Sequence, residues 1–338
     1  MTAFLARRIV LAGAVLAGVS FGSFVMMATK FSSQCTSQFT PAGEANPPLA
    51  GTASQAASLY WDWVKGIPSG HSFGVVCGGE TTSQVWPAFA HTGALLGATG
   101  LIVLVAALAL GILAASRAGS FWDTGLRCFS YAAWGVPPFL LAIILQSVLR
   151  SAGRQGFHWF SIYGWPASCL SGSGAFYPCG PTSGTAHHTL EIVRALTVPA
   201  VALSLAFIGL HSRYLRSSLL VALNAPYTTT ARAKGLPERT VVLRHALRNS
   251  LATFTSALLL DFGAIFGAAL AVDVVFGLNG LGSLLLVEVG GIGGGDGPRY
   301  LNPYAIETLL ATAALFVIVA SVVAEIAVAS LDPRTRLR

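Results

Sequence analysis

Residues 92–115 read TGALLGATGLIVLVAALALGILAA, without a single charged side chain. Coiled as an α-helix, this stretch is ~36 Å long, more than the ~30 Å hydrocarbon layer of a bilayer demands. Working outward, five further apolar runs fall at about 9–29, 126–149, 190–210, 251–275 and 306–330. Lipid offers no partner for a backbone N–H or C=O, so only helices and closed barrels cross it. These runs lack the polar/apolar alternation of barrel strands. The expected fold class is all-α: a polytopic membrane protein with six transmembrane helices, forming one domain over 1–338.

Composition agrees. Of 338 residues, 54% are apolar and 10% are charged, where an ordinary soluble domain carries roughly 25% charged residues. A water-soluble fold of this size would lack the polar side chains to cover its surface. The net charge of +7 does not point to nucleic acid as a partner, because the basic residues follow a topology. With the amino terminus inside, Arg7, Arg8, Arg117, Arg127, Arg213, Arg216, Arg232, Lys234, Arg239, Arg244, Arg248, Arg334, Arg336 and Arg338 fall in inner segments, fourteen of the 20 Lys and Arg. Basic residues flanking spans are retained on the cytoplasmic side. Both termini are therefore expected in the cytoplasm of a cell-membrane protein, with outer loops at 30–91, 150–189 and 276–305 and an inner loop at 211–250. A cleaved secretory signal is the alternative for the first run, with Arg7-Arg8 ahead of it and small residues near Ala28. Its removal would leave five spans and put one terminus on the wrong side.

That topology places Cys35 and Cys77 in the first outer loop and Cys169 and Cys179 in the second. An oxidising outer compartment permits disulfides. The pairs Cys35–Cys77 and Cys169–Cys179 are expected, with other pairings or free thiols as the alternative. Cys128, inside a span, is expected to be a small buried apolar residue. The outer loops are rich in Gly, Ser and Pro, and Tyr60, Trp61, Trp63, Trp86, Trp159, Tyr163, Trp165, Tyr177, Tyr300 and Tyr304 cluster in them and at span edges. An interfacial aromatic belt with loop packing accounts for these; a surface that receives a partner protein is the sharper reading.

The inner loop carries seven basic residues and one acid. Residues 212–223 have helical spacing and prolong the fourth span. Pro226 fits the first turn of a new short helix, where its missing N–H does no harm. Gly235 supplies the left-handed residue that commonly stops a helix, and Pro237 with Glu238 restarts one. A short helix is thus expected across the membrane surface, with small alanines on it and Arg232 and Lys234 at its end, a shape suited to docking.

Here the sequence resembles a family. The string Tyr227-Thr228-Thr229-Thr230-Ala231-Arg232-Ala233-Lys234-Gly235-Leu236, followed by Leu243-Arg244-His245-Ala246-Leu247-Arg248-Asn249, is similar to the loop motif of binding-protein-dependent ABC permeases, in the version of the dipeptide/oligopeptide branch. Ser212-Arg213-Tyr214-Leu215-Arg216-Ser217-Ser218-Leu219 upstream, Val274-Val275-Phe276 with Gly280-Leu281-Gly282 downstream, Ala6-Arg7-Arg8 and Leu331-Asp332-Pro333-Arg334 extend the likeness over most of the chain. The resemblance implies a type I ABC importer permease fold in which the loop forms a coupling helix seated in a groove of an ATPase subunit. It places Ala231 and Gly235 at the contact point, with Tyr227, Thr230, Arg232, Lys234 and Leu236 around it. It further implies a second homologous permease subunit, two ATPase subunits that carry ATP and Mg, and an extracytoplasmic substrate-binding protein. The chain departs from the pattern at Ala225-Pro226, where the family usually has an acid, and in both cysteine-bearing outer loops.

Asp261 and Asp273 in the fifth run and Glu325 in the sixth are acids near membrane depth, costly unless they face protein or water. Asp261 is expected to line the path or to serve in packing; Asp273 matches an acid of the family and is expected at the outer gate; Glu325 is expected in packing. Gly93 with Gly97 and Gly263 with Gly267 are expected as helix-packing surfaces. His158, His187 and His188 with Cys169 and Cys179 fit no standard zinc spacing, so no metal is expected. The glycine-rich 290–297 segment lacks the Lys-Ser/Thr of a phosphate loop, and no such loop occurs in the chain. The expected function is a non-catalytic permease subunit, with no catalytic residue and no cofactor of its own, importing peptides. A nickel chelate, an oligosaccharide or haem is the alternative solute; an ion-coupled secondary transporter is the alternative class, disfavoured because no repeat between halves is evident. An intramembrane enzyme would need a nucleophile–base pair or a metal motif that the spans lack.

Overall fold

The computed structural model describes residues 2–30, 50–66, 75–76, 79–154, 168–170, 176–178, 185–288 and 303–331. It is built from helices: α1 Thr2–Lys30, α2 Ala53–Gly66, α3 Thr81–Ser116, α4 Phe121–Gly135, α5 Pro138–Arg154, α6 Thr185–Leu223, α7 Pro226–Ala233, α8 Glu238–Thr240, a π-helical turn Val241–Ala246, α9 Leu247–Leu260, α10 Phe262–Phe276, α11 Leu281–Glu288 and α12 Pro303–Leu331. Two short antiparallel hairpins join them, Val75–Val76 with Gly79–Glu80 and Ser168–Leu170 with Phe176–Pro178. The segments 30–91, 150–189 and 276–305, expected as outer loops, contain these strands as well as α2 and α11.

By length and composition, Val85–Ser116 and Leu190–Leu223 are each sufficient to cross a bilayer. Two bent pairs, Phe121–Gly135 with Pro138–Ser151 at 94° and Glu238–Leu258 with Phe262–Phe276 at 52°, are each a broken span or a re-entrant loop; counted as spans, they bring the candidates among the described residues from two to four. Gly13–Thr29 and Ile306–Val319 are shorter apolar helices.

The first bend interrupts a run that reads as one helix in sequence. Val136 lies extended (φ −102°, ψ 123°), as the residue before a proline must when its helical conformation clashes with the ring. The Pro137 carbonyl then accepts from Leu140 and Leu141 N–H at 3.0 and 3.2 Å, and Pro138 opens α5 without needing a donor. Apolarity is continuous across the break, so hydropathy alone conceals it.

The chain forms two compact units. In the first, α1 and α2 pack through buried Phe24, Ala28, Ala50 and Ala56. Tyr60 stands edge-on to Phe21 at 5.3 Å, and Trp63 stacks on Phe24 at 6.5 Å, so these two aromatics are core and not belt. Glu307 of α12 is buried and accepts from Ser23 Oγ at 2.7 Å; Leu281 N–H donates to Thr92 Oγ1 at 2.9 Å.

In the second unit α6 is the hub, packing against α4, α5, α9 and α10. Two glycines permit close approach there, one to a backbone and one to a side chain. A Cβ on Gly209 would lie 2.7 Å from the Ser130 carbonyl oxygen of α4, and one on Gly111 would lie 2.8 Å from Leu215 Cδ2. Gly93, Gly97, Gly263 and Gly267, expected as packing surfaces, have nothing within 4 Å of such a Cβ in this chain. Cys128 is exposed, which corrects the expectation of a buried residue: α4 turns Asp123 and Ser130 inward, and Cys128 lies on the other face. The proposed cysteine pairs and the side chain of Glu325 lie outside the described residues.

Candidate functional site

The motif-bearing loop between α6 and α9 is a compact knob. Ala225, extended at φ −76° and ψ 151°, precedes α7, and Pro226 occupies its first turn. The carboxyl end closes as the left-handed glycine dictates: Gly235 has φ +76°, its N–H donates to Arg232 O at 2.9 Å, and Leu236 N–H donates to Ala231 O at 3.4 Å. These are the two bonds of a Schellman stop. Pro237 precedes α8, and the π-helical turn that follows directs Val241, Val242 and Ala246 inward.

What fastens the knob is a set of contacts to the end of α6. Thr228 is fully buried, and its hydroxyl lies 2.6 Å from Ala225 O, 3.0 Å from Ala222 O and 3.1 Å from Leu223 O. Arg232 Nη1 donates to Leu223 O at 3.0 Å. The same guanidinium grips Glu238 in bidentate fashion, Nε to Oε2 at 3.0 Å and Nη2 to Oε1 at 2.7 Å. The arginine holds the Glu238 carboxyl below the usual carboxylate range. Carbonyls that a helix terminus leaves unsatisfied are thereby occupied by side chains from the following helix.

Of the residues expected at a contact point, Ala231 is turned the other way. It is 5% exposed and belongs to an apolar cluster with Leu215, Leu219, Leu223, Val241, Val242 and Phe254. Arg232, expected around the contact point, bonds within the loop and stays 41% exposed. The outward surface is instead formed by Tyr227, Thr230, Lys234, Gly235 and Leu236, all exposed. The Tyr227 hydroxyl accepts from Asn249 Nδ2 at 3.2 Å, tying the two halves of the motif together. Nothing within 4 Å would meet a Cβ on Gly235, so that edge of the knob is open. Asp261 and Asp273 stand apart from it. Asp261 lies at the junction of α9 and α10, and Asp273 is buried within α10.

Two ionic contacts escape the sequence reading. Asp123 and Arg216, ninety-three positions apart, form a bidentate ion pair, Nε to Oδ1 at 2.6 Å and Nη2 to Oδ2 at 2.7 Å. Asp123 is 1% exposed. Its local signal is legible: Ser120-Phe121-Trp122-Asp123 is a capping-box spacing, and Asp123 N–H donates to Ser120 Oγ at 3.3 Å. His211 is fully buried on α6 beside Asp261; a titratable residue closing an apolar run is the signal for it.

The sequence profile described as binding-protein-dependent transport system inner membrane component matches residues 107–337. The chain is similar to the oligopeptide transport system permease protein AppB of Bacillus subtilis, 27% identical over 99% of both chains. It is 30% identical to a putative peptide permease protein of Brucella suis, over 79% of this chain and 75% of that one. Against the oligopeptide transport system permease protein OppB of Escherichia coli it is 26% identical over 61% of this chain and 58% of the other. The chain therefore belongs to the family of inner membrane components of binding-protein-dependent transport systems, the permeases of ABC importers.

Proposed function

We propose that this chain forms half of the translocation pathway of an ATP-driven importer for peptides. The names of its relatives support the solute class, and the excess of Lys and Arg in alternate connections supports six spans with both termini and the 211–250 loop in the cytoplasm. A second, homologous permease completes the pathway. An extracytoplasmic binding protein delivers the solute, and two ATPase subunits supply ATP and Mg. This chain performs no covalent chemistry.

The observation that carries the reading is the construction of α7. Its inward side, Thr228 and Ala231, is packed on the end of α6, to which the exposed Arg232 is also bonded, while its outward side presents Tyr227, Thr230, Lys234, Gly235 and Leu236. A rigid knob with an open apolar and cationic face transmits displacement in a way that a loose loop does not. When the ATPases close, the knobs are drawn together and α6 moves with them, rocking the bundle between outward-open and inward-open forms. Asp261 serves either this path or packing within the bundle, and Asp273 shapes the outer gate.

Leu236→Cys paired with cysteines along the ATPase groove tests the docking. Crosslinking that arrests transport and solute-stimulated ATP hydrolysis is expected. If cysteines at 230, 234 and 236 all fail to crosslink in a transporting complex, docking through this face is wrong.

A further inference from the structure

We propose that His211 and Asp261 form a proton-binding site that joins α6 to the bend between α9 and α10. His211 is buried completely, with Nδ1 2.8 Å from Phe207 O. A carbonyl only accepts, so Nδ1 carries the hydrogen and a neutral ring leaves Nε2 as a bare acceptor. Facing it at 3.5 Å is Asp261 Oδ2, also an acceptor when ionised. Both atoms are buried, although the Asp261 side chain as a whole is 28% exposed, and neither atom has a hydrogen-bond partner among the described residues. Two lone pairs turned toward each other away from water are an unfavourable arrangement, and buried polar atoms without partners call for a specific explanation. One proton between them resolves it, satisfying both atoms at once.

The surroundings restrict the ligand to a proton. Phe207, Tyr214 and Phe254 enclose the ring at 6.4, 5.9 and 6.2 Å between centroids. Asp261 is the acidic group within ion-pair distance of His211 among the described residues, and burial of the ring opposes its charged form, so the carboxylate must supply the compensation. From α6 itself Arg213 turns to the Tyr131 face of α4, at 4.5 Å, and Tyr214 presents a ring edge; Phe254 is what α9 presents and Trp134 of α4 reaches Phe207. Among the described residues no third His, Cys, Asp or Glu joins the pair to make a metal set, and two ligands do not complete the four-coordinate shell of zinc.

The position gives the proton a mechanical effect. Asp261 lies at the 52° bend of the α9–α10 pair, where its N–H still donates to Ala257 O at 3.1 Å and its carbonyl accepts from Ile265 N–H at 3.0 Å. A charge-assisted N–H···O bond prefers about 2.8 Å, so occupancy draws the bend toward α6 and vacancy releases it. This latch is separate from the docking knob; its consequence for transport rests on the importer reading, but proton binding does not.

The test is made on the assembled transporter in lipid. A pH-difference infrared spectrum from about pH 8.5 down to about pH 4, a range that reaches below the ordinary imidazole value because burial opposes the charged ring, is compared among wild type, His211→Gln and Asp261→Asn. The proposal expects imidazole and carboxyl bands in the wild type that both variants lose. It also expects a step in the pH profile of transport, measured without a transmembrane pH difference, that is absent from His211→Gln and displaced in Asp261→Asn. The infrared comparison needs no transported solute, so it stands whether or not peptides are the cargo. Identical difference spectra in all three proteins would overturn the site.

Discussion

Thr228 and Ala222 are joined by a hydrogen bond of 3.0 Å from the threonine hydroxyl to the last-turn carbonyl of α6. Through this contact and the Arg232 bond to Leu223 O, α7 is an extension of the fourth apolar helix and not a tethered appendage. Thr228→Val keeps the volume and removes the hydroxyl, leaving buried carbonyls of α6 without it. A loss of about 1–2 kcal/mol is expected, read as a lower thermal midpoint of the detergent-solubilised complex together with weaker solute stimulation of ATP hydrolysis.

Arg232 is expected to behave as a positioning residue. Arg232→Glu breaks the bidentate pair and uncouples transport from ATP hydrolysis, whereas Arg232→Glu with Glu238→Arg restores coupling in part. The pair is well exposed, so its direct effect on stability is small, ~0–1 kcal/mol; crosslinking yield between α7 and the ATPase separates lost positioning from lost docking.

Asp123 and Arg216 are a different case, because the carboxylate is buried. Asp123→Ala strands the guanidinium and is expected to cost about 3 kcal/mol. The loss is read as a lower thermal midpoint of the detergent-solubilised complex carrying Asp123→Ala than of the wild type.

Gly209→Ala places a methyl group 2.7 Å from a backbone oxygen of α4. Backbone does not yield as a flexible side chain does, and overpacking of this kind costs about 1–3 kcal/mol. A reduced thermal midpoint is expected, with Gly263→Ala, which meets nothing, as the control.

The loop was the most legible part of the chain, because proline at a helix start and glycine at its stop are backbone requirements that the residues themselves carry. Which side of α7 faces outward was not legible. Ala231 is as small as an interface residue, yet it fills the space left by Leu215 and Val241, and no local pattern distinguishes those two uses. The apolar runs located the helices, but the bend at Val136 was hidden by unbroken hydrophobicity even though Pro137-Pro138 announced it. Asp123 with Arg216 and His211 with Asp261 depend on contacts between distant positions, which periodicity does not report. Glycine pairs four apart pointed to 93, 97, 263 and 267, whereas the close approaches fall at single glycines, 111 and 209, decided by where α3 and α4 meet α6.

The most direct measurement of the central claim, that α7 is a cytoplasmic lever seated on an ATPase, is sidedness labelling of Lys234→Cys with a membrane-impermeant maleimide. The account predicts labelling in inside-out vesicles stripped of ATPase, protection when the ATPase is added back, and none in right-side-out vesicles. Labelling from the outer face, or labelling that the bound ATPase leaves unchanged, would contradict it.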